Sequence, residues 1–188
     1  NAGNQLVYTV DALGNVTQAT YDVNGRTLVT TSYYQPISLA GLPAIPNIND
    51  IALRITATPA HDVTSYRVYD RDGRTAYTID GMGGVVQYTY DGNGNVIDQV
   101  AYANRINIAS YTAGSTPAVT ADPAHDVHNR TVYDQLNRAT YTIDGTGAAV
   151  AQTYDGNGNV VDRIAYATTI PVATAATQSA ISTAVAAI

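Results

Sequence analysis

The stretch that decides the fold is HDVTSYRVYDRDGRTAYTIDGMGGVVQYTYDGNGNVIDQVAYA, residues 61–103, because it recurs as HDVHNRTVYDQLNRATYTIDGTGAAVAQTYDGNGNVVDRIAYA at 125–167. The two align without a gap at an offset of 64 residues, and 26 of 43 positions are identical. A third, partial copy lies upstream, where Tyr8, Tyr21 and Tyr33 match Tyr77, Tyr90 and Tyr102 at an offset of 69. A fixed internal period marks a repeat architecture, in which each unit buries its apolar surface against its neighbours.

Within one copy, turn signals arrive every ten to fifteen residues: Asp70-Arg71-Asp72-Gly73, Asp80-Gly81-Met82-Gly83-Gly84 and Asp91-Gly92-Asn93-Gly94-Asn95. Asp opens such turns because its carboxylate accepts backbone N–H groups two residues on, while Gly or Asn fills the positive-φ positions. The runs between them have strand length and alternate with period two. The alternation sets Tyr77 and Ile79 on one face, and Val86, Tyr88 and Tyr90 on one face with Val85, Gln87 and Thr89 opposite. Val96, Asp98, Val100 and Tyr102 alternate with Ile97, Gln99 and Ala101. In the second full copy the core candidates are Tyr141, Ile143, Val150, Tyr154, Val160, Ile164 and Tyr166. Four short antiparallel strands per copy is the economical expectation.

Composition points the same way. There is no Lys, Glu, Phe, Trp or Cys; fifteen Asp and nine Arg carry the side-chain charge, and all fifteen aromatics are Tyr. Glu and Lys favour helices, whereas Tyr, Val and Thr favour strands. The formal net charge of −6, with scattered Arg, argues against a nucleic-acid partner. Zero Cys excludes disulfides and thiolate metal sites. The most apolar stretch, 172–188, is too short and too polar for a membrane span. No secretory leader is visible at the first residues.

The expected organisation is a partial unit at 1–33, a linker with a short helix at 34–60, full units at 61–103 and 125–167, and linkers at 104–124 and 168–188. Asn49-Asp50 reads as a cap for a helical turn over Ile51–Ile55. Ser115-Thr116-Pro117 puts Pro at a first helical position, and Gln178 to Ile188 spaces Ile181, Val185 and Ile188 for a helix. One short helix per linker is expected, covering an edge or end of the strand layer. Asn1 aligns with Asp70 inside a turn, and Ile188 with Ala124. The chain is therefore expected to be a window from a longer array.

The repeated motif comprises Tyr21, Asp22 and Gly25; Tyr69, Asp70 and Gly73, with Tyr77 and Asp80; Tyr90, Asp91 and Gly94; Tyr133 and Asp134, with Tyr141 and Asp144; and Tyr154, Asp155 and Gly158. With YDVNGRT at 21–27, YDRDGRT at 69–75, YDGNGNV at 90–96 and 154–160, and YTVDALGNVT at 8–17, the chain resembles the rearrangement-hotspot (RHS), or YD-repeat, family. That resemblance implies a mainly β strip or spiral of tandem hairpins within a very large secreted or surface protein, some members of which form toxin-encapsulating shells. It implies neighbouring repeats or further copies as partners, and an extracellular or cell-surface location. The family's core segment with an Asp-Pro-x-Gly-Leu run has no counterpart here, so neither autoproteolysis nor a toxic tip is implied.

Several constellations compete with a structural reading. Asp91 to Asn95 and Asp155 to Asn159 imitate the start of a calcium loop, but positions six and twelve hold Val96 and Tyr102, and Val160 and Tyr166, where an EF-hand needs Gly and Glu. A hairpin turn is preferred. His61-Asp62 and His125-Asp126 could order a strand start or contribute to a metal site. His128 has Thr64 as its counterpart, so no ligand set repeats and no metal or other cofactor is assigned. Paired catalytic carboxylates need unlike environments, whereas each Asp here has the same turn role from copy to copy. No nucleophile elbow is present. The expectation is a structural segment of a shell, stalk or filament, without enzymatic activity. The competing reading is a glycan- or protein-binding adhesin module that uses exposed Tyr surfaces.

Overall fold

The computed structural model describes every residue except Ala2. It is mainly β, a tandem array of antiparallel hairpins with short helices in the linkers. The chain forms two compact units, Asn1–Gly83 with Ile106–Pro117, and Gly84–Arg105 with Ala118–Ile188.

The first unit holds β1 (Tyr8–Val10), β2 (Val16–Tyr21), β3 (Thr27–Ser32), β4 (Val63–Tyr69) and β5 (Thr75–Asp80), with a short helix α1 (Ile48–Ala52) in the linker between β3 and β4. Each strand pairs antiparallel with the next in sequence. The second unit holds β6 (Val85–Tyr90), β7 (Val96–Ala101), β8 (Val127–Tyr133), β9 (Ala139–Ile143), β10 (Ala149–Tyr154), β11 (Val160–Ala165) and α2 (Gln178–Ala186), again paired in chain order. Residues 61–103 thus contribute four strands, β4 to β7, and residues 125–167 contribute β8 to β11.

The hairpins that follow a Tyr-Asp pair share one construction. In β2–β3, Asp22 N–H donates to Arg26 O at 2.9 Å, and Gly25 N–H to Asp22 O at 3.0 Å. Gly25 then takes φ +83°, and the pairing slips by one residue at Tyr21. This is a type I turn closed by a glycine bulge, the geometry that matches strand twist in a short hairpin. The same slip occurs at Tyr69, Tyr90, Tyr133 and Tyr154.

The linkers act as the second layer. In the first unit Val16, Ile37 and Ile51 form a buried cluster against which Tyr8, Val10, Tyr33, Leu42 and Ile55 pack. In the second, Val132, Ile143, Ala149, Ile170, Ile181 and Val185 do so, flanked by Tyr141 and Tyr166. Strand residues and linker residues meet on one sheet face, so the helices cover a face and not an edge. A thin sheet with one covered face needs apolar residues only there, and polar or aromatic ones elsewhere.

The structure corrects three local expectations. In β6 and β10 the fully buried positions are Val85 and Ala149, each 1% exposed, whereas Val86 and Val150 are only half-buried. The linker covers the face with the smaller side chains, because a backbone passes close above it. Val160 and Ile164, expected in the core, are exposed at 49% and 46%, since β11 pairs with β10 alone among the described residues. Their counterparts in β7, Val96 and Val100, lie between two strands and are half-buried and buried.

The linker helices also differ in detail. α1 is capped by Asn47, whose side chain accepts from Asn49 N–H and Asp50 N–H, while Asp50 accepts from Asn47 N–H, a reciprocal capping box. Asn49 and Asp50 therefore lie inside the first turn. No helix begins at Pro117; a single 3₁₀ turn at Ile108–Ser110 takes its place upstream. The segment after Gly114 (φ +84°) runs through Val119, Thr120 and Pro123, which neither favour a helix nor present an apolar helical face. α2 has Thr177 as its cap and buries Ile181 and Val185, whereas Ile188 lies beyond its end and is 48% exposed. No helix among the described residues is long and apolar enough to cross a membrane.

Candidate functional site: the Tyr–Asp turn cassette and the linker clasp

At each Tyr-Asp turn the Asp carboxylate is engaged by its own loop. One oxygen of Asp70 accepts Asp72 N–H and Arg74 N–H, both at 2.9 Å, and the other accepts Arg74 Nε at 2.8 Å. Asp22 and Asp134 repeat this with Arg26 and Arg138. Asp91 and Asp155 repeat it with Asn95 and Asn159, whose amides donate at 2.9 Å. The residue four positions after Asp must therefore be a donor, which accounts for the Arg-or-Asn alternation in the motif. The oxygens that a calcium loop would offer to a cation are taken by N–H donors of the turn.

These bonds favour the charged carboxylate. The side-chain amides of Asn95 and Asn159 hold Asp91 and Asp155 below the ordinary Asp value, with backbone donors adding to the effect. At Asp22 and Asp70, desolvation pushes upward but the Arg26 and Arg74 bonds outweigh it, leaving both carboxyls lowered. At Asp134 the Arg138 backbone bond leads the same downward shift.

The Tyr of the pair links one cassette to another. The Tyr69 hydroxyl donates to Thr27 O at 2.8 Å, and the Arg26 guanidinium stands 4.5 Å over the Tyr69 ring. In the second unit the Tyr154 hydroxyl donates to Ala139 O at 2.7 Å beneath Arg138, 4.6 Å from the ring centre. Tyr21 donates to Leu6 O at 2.6 Å. Each Arg thus serves its own Asp and a neighbouring Tyr face, a bidentate use that Lys would not reproduce. Tyr suits the site because its ring is half-covered and its hydroxyl finds a carbonyl.

The second turn type, with Asp80 and Asp144 in the full copies, meets the linker. Asp144 accepts from Thr146 N–H, Ala148 N–H and the Thr146 hydroxyl, and Asp80 from Met82 N–H. The closing glycines, Gly14, Gly83 and Gly147, carry φ +85°, +85° and +86°. Ile37 N–H donates to Gly14 O, Ile106 N–H to Gly83 O and Ile170 N–H to Gly147 O, at 2.8, 2.9 and 2.9 Å. Sequence reasoning passed over these isoleucines; the signal was a Gly–Ile spacing of 23 residues in all three copies.

The His-Asp pairs hold the other end of the linkers. Asp62 accepts Tyr34 N–H and Thr58 N–H at 2.8 and 2.7 Å. Asp126 accepts Ala103 N–H and Asp122 N–H, both at 2.8 Å. The neighbouring histidines diverge: His61 packs on Tyr34, His125 bonds Asp122, and His128 meets Asp98 at 3.1 Å. Among the described residues no three metal-ligating side chains converge. Tyr77 and Tyr141 lie in the strands that precede the second turn type, with Tyr141 packed against the linker core. Tyr90 and Tyr133 stand at bulged strand ends. The motif residues therefore form a set of separate, repeated structural joints and do not gather at one centre.

No protein-family model matches the chain, and no curated protein matches it. Among solved structures it is similar to a chain of TcdB2-TccC3 without its hypervariable C-terminal region, at 16% identity and a TM-score of 0.42, over 88% of this chain and 9% of that one. It is likewise similar to a chain of the Tc holotoxin pore of Photorhabdus luminescens, at 15% identity and a TM-score of 0.41, over 86% of this chain and 8% of that one. The chain spans less than a tenth of the length of those solved chains.

Proposed function

We propose that the chain is a structural repeat segment of a large secreted or surface protein of the YD-repeat type, and that it contributes to a β-shell, stalk or filament. The observation that carries this reading is the internal use of the motif. Every Tyr-Asp carboxylate is bonded within its own turn, and the same joint recurs in register along the chain. A catalytic or ligand-binding carboxylate would instead present an oxygen to a cleft and differ from its repeat equivalents. No turnover is expected of this segment, and Asp→Asn changes at equivalent turns are expected to have equivalent effects.

The partners on this reading are further repeats. Repeat arrays grow by adding one unit and one interface at a time. The test is to insert one and then two additional copies of residues 61–124 after Ala124, and to measure particle length by negative-stain microscopy and hydrodynamic radius by light scattering. A regular increment per copy supports an extended or spiralling array. A compact particle of unchanged diameter overturns the reading.

A further inference from the structure

β3 and β7 each run between two strands: β3 between β2 and β4, β7 between β6 and β8. Their counterpart in the last copy is β11, whose VVDRIA repeats the VIDQVA of β7. Among the described residues β11 pairs with β10 alone, and all six of its residues are exposed. Val160 and Val161, at 49% and 63% exposure, make this an apolar open edge with unpaired backbone groups, a ready template for strand addition.

The β7–β8 joint shows what such an edge accepts. Asp98 stands opposite Arg130, Gln99 opposite Asn129, Val100 opposite His128 and Ala101 opposite Val127. His128 reaches the Asp98 carboxylate at 3.1 Å, and just beyond the strand Ala103 N–H donates to Asp126. β11 carries the same series in Asp162, Arg163, Ile164 and Ala165, followed by the exposed Ala167. We propose that the outer edge of β11 is an acceptor site for one extended antiparallel strand of the β8 type. That strand begins His-Asp-Val, carries a basic side chain to face Asp162 and ends Val-Tyr-Asp. β4 and β8 are already paired on both sides, so the occupant is an extended segment presented from outside residues 1–188.

The inference rests on the array reading for its register, but the two fail separately, one on amide exchange and the other on particle length. The probe is a synthetic peptide of residues 122–138 added to the full chain, with exchange of the β11 amides followed by mass spectrometry. Slowed exchange confined to residues 160–167 is expected, with none for a scrambled peptide. Asp162→Arg should weaken the effect by about fivefold, the scale of one partly exposed ion pair. An isolated peptide bears an ordering cost on binding. A second protein therefore carries residues 125–138 again directly after Ile188, where the linker 168–188 has the same length as 104–124. Protection of β11 in either arm supports the acceptor edge. Unchanged exchange in both arms, or equal protection by the scrambled peptide, overturns it.

Discussion

Ile170 N–H donates to Gly147 O at 2.9 Å, and a Cβ placed on Gly147 would lie 2.2 Å from the Ile170 carbonyl oxygen. The same pair recurs as Gly14 with Ile37 and Gly83 with Ile106. At these three turns the linker backbone crosses so closely that a side chain cannot be fitted. The contact that brings the covering layer down on the sheet is thus a backbone contact, made possible by a hydrogen atom in place of a methyl group.

Three alanine substitutions separate space from backbone strain. Gly156 has no neighbour within 4 Å of a Cβ and no positive φ, so Gly156→Ala should be neutral or stabilise by up to about 0.5 kcal/mol. Gly158 is equally open but has φ +87°, and Gly158→Ala should cost about 1 kcal/mol. Gly147→Ala adds the Ile170 collision to the same strain and should cost about 2 kcal/mol or more. Urea unfolding of the three variants checks the order; equal losses at 147 and 158 would show that the close crossing contributes nothing.

Tyr69→Phe keeps the ring beneath Arg26 but removes the hydroxyl bonded to Thr27 O, and should cost about 1 kcal/mol. Tyr69→Leu also loses the guanidinium stack and should cost about 1 kcal/mol more. Arg26→Lys in the Phe background should reproduce much of that second loss. A Phe variant as stable as the parent would remove the hydroxyl from the account of the motif.

Acid should loosen the turns. The carboxyls of Asp91, Asp144 and Asp155 lie below their ordinary value of 3.8 in the folded chain. On unfolding they return toward that value, so the unfolded chain takes up protons first as pH falls. Their contribution is complete above about pH 4 to 5 and is lost as pH drops through the lowered folded values. The urea midpoint should fall between about pH 5 and pH 2, and Asp91→Asn should make that fall shallower. A midpoint that rises on acidification would contradict the sign.

Ile181 is fully buried against strands of the second unit. Ile181→Ala should cost about 3 kcal/mol by the ordinary scale of buried large-to-small changes. Amide exchange over Gln178–Ala186 should accelerate, because α2 spans only nine residues and is too short to persist without packing. Helix protection unchanged by the substitution would exclude Ile181 as its anchor.

The turns, the strand count and the hairpin pairing were legible in the residues. Asp at the first position, Gly at the positive-φ position and a donor four residues after Asp each answer a local backbone requirement, and local requirements are met within five residues of sequence. Asn137 shows the rule by exception, taking φ +59° where the other Tyr-Asp turns have Gly. The covered face of β6 and β10 was not legible. Val85 and Val86 are chemically alike and alternate, and only the position of the linker selects Val85. The joints at Gly147–Ile170 and Ala103–Asp126 span 23 residues each, so no local pattern announces them. Likewise Val96 and Val160 occupy the same place in the motif, yet one is partly covered and the other exposed. The difference lies in whether a further strand pairs alongside, a long-range contact that the side chain itself does not encode.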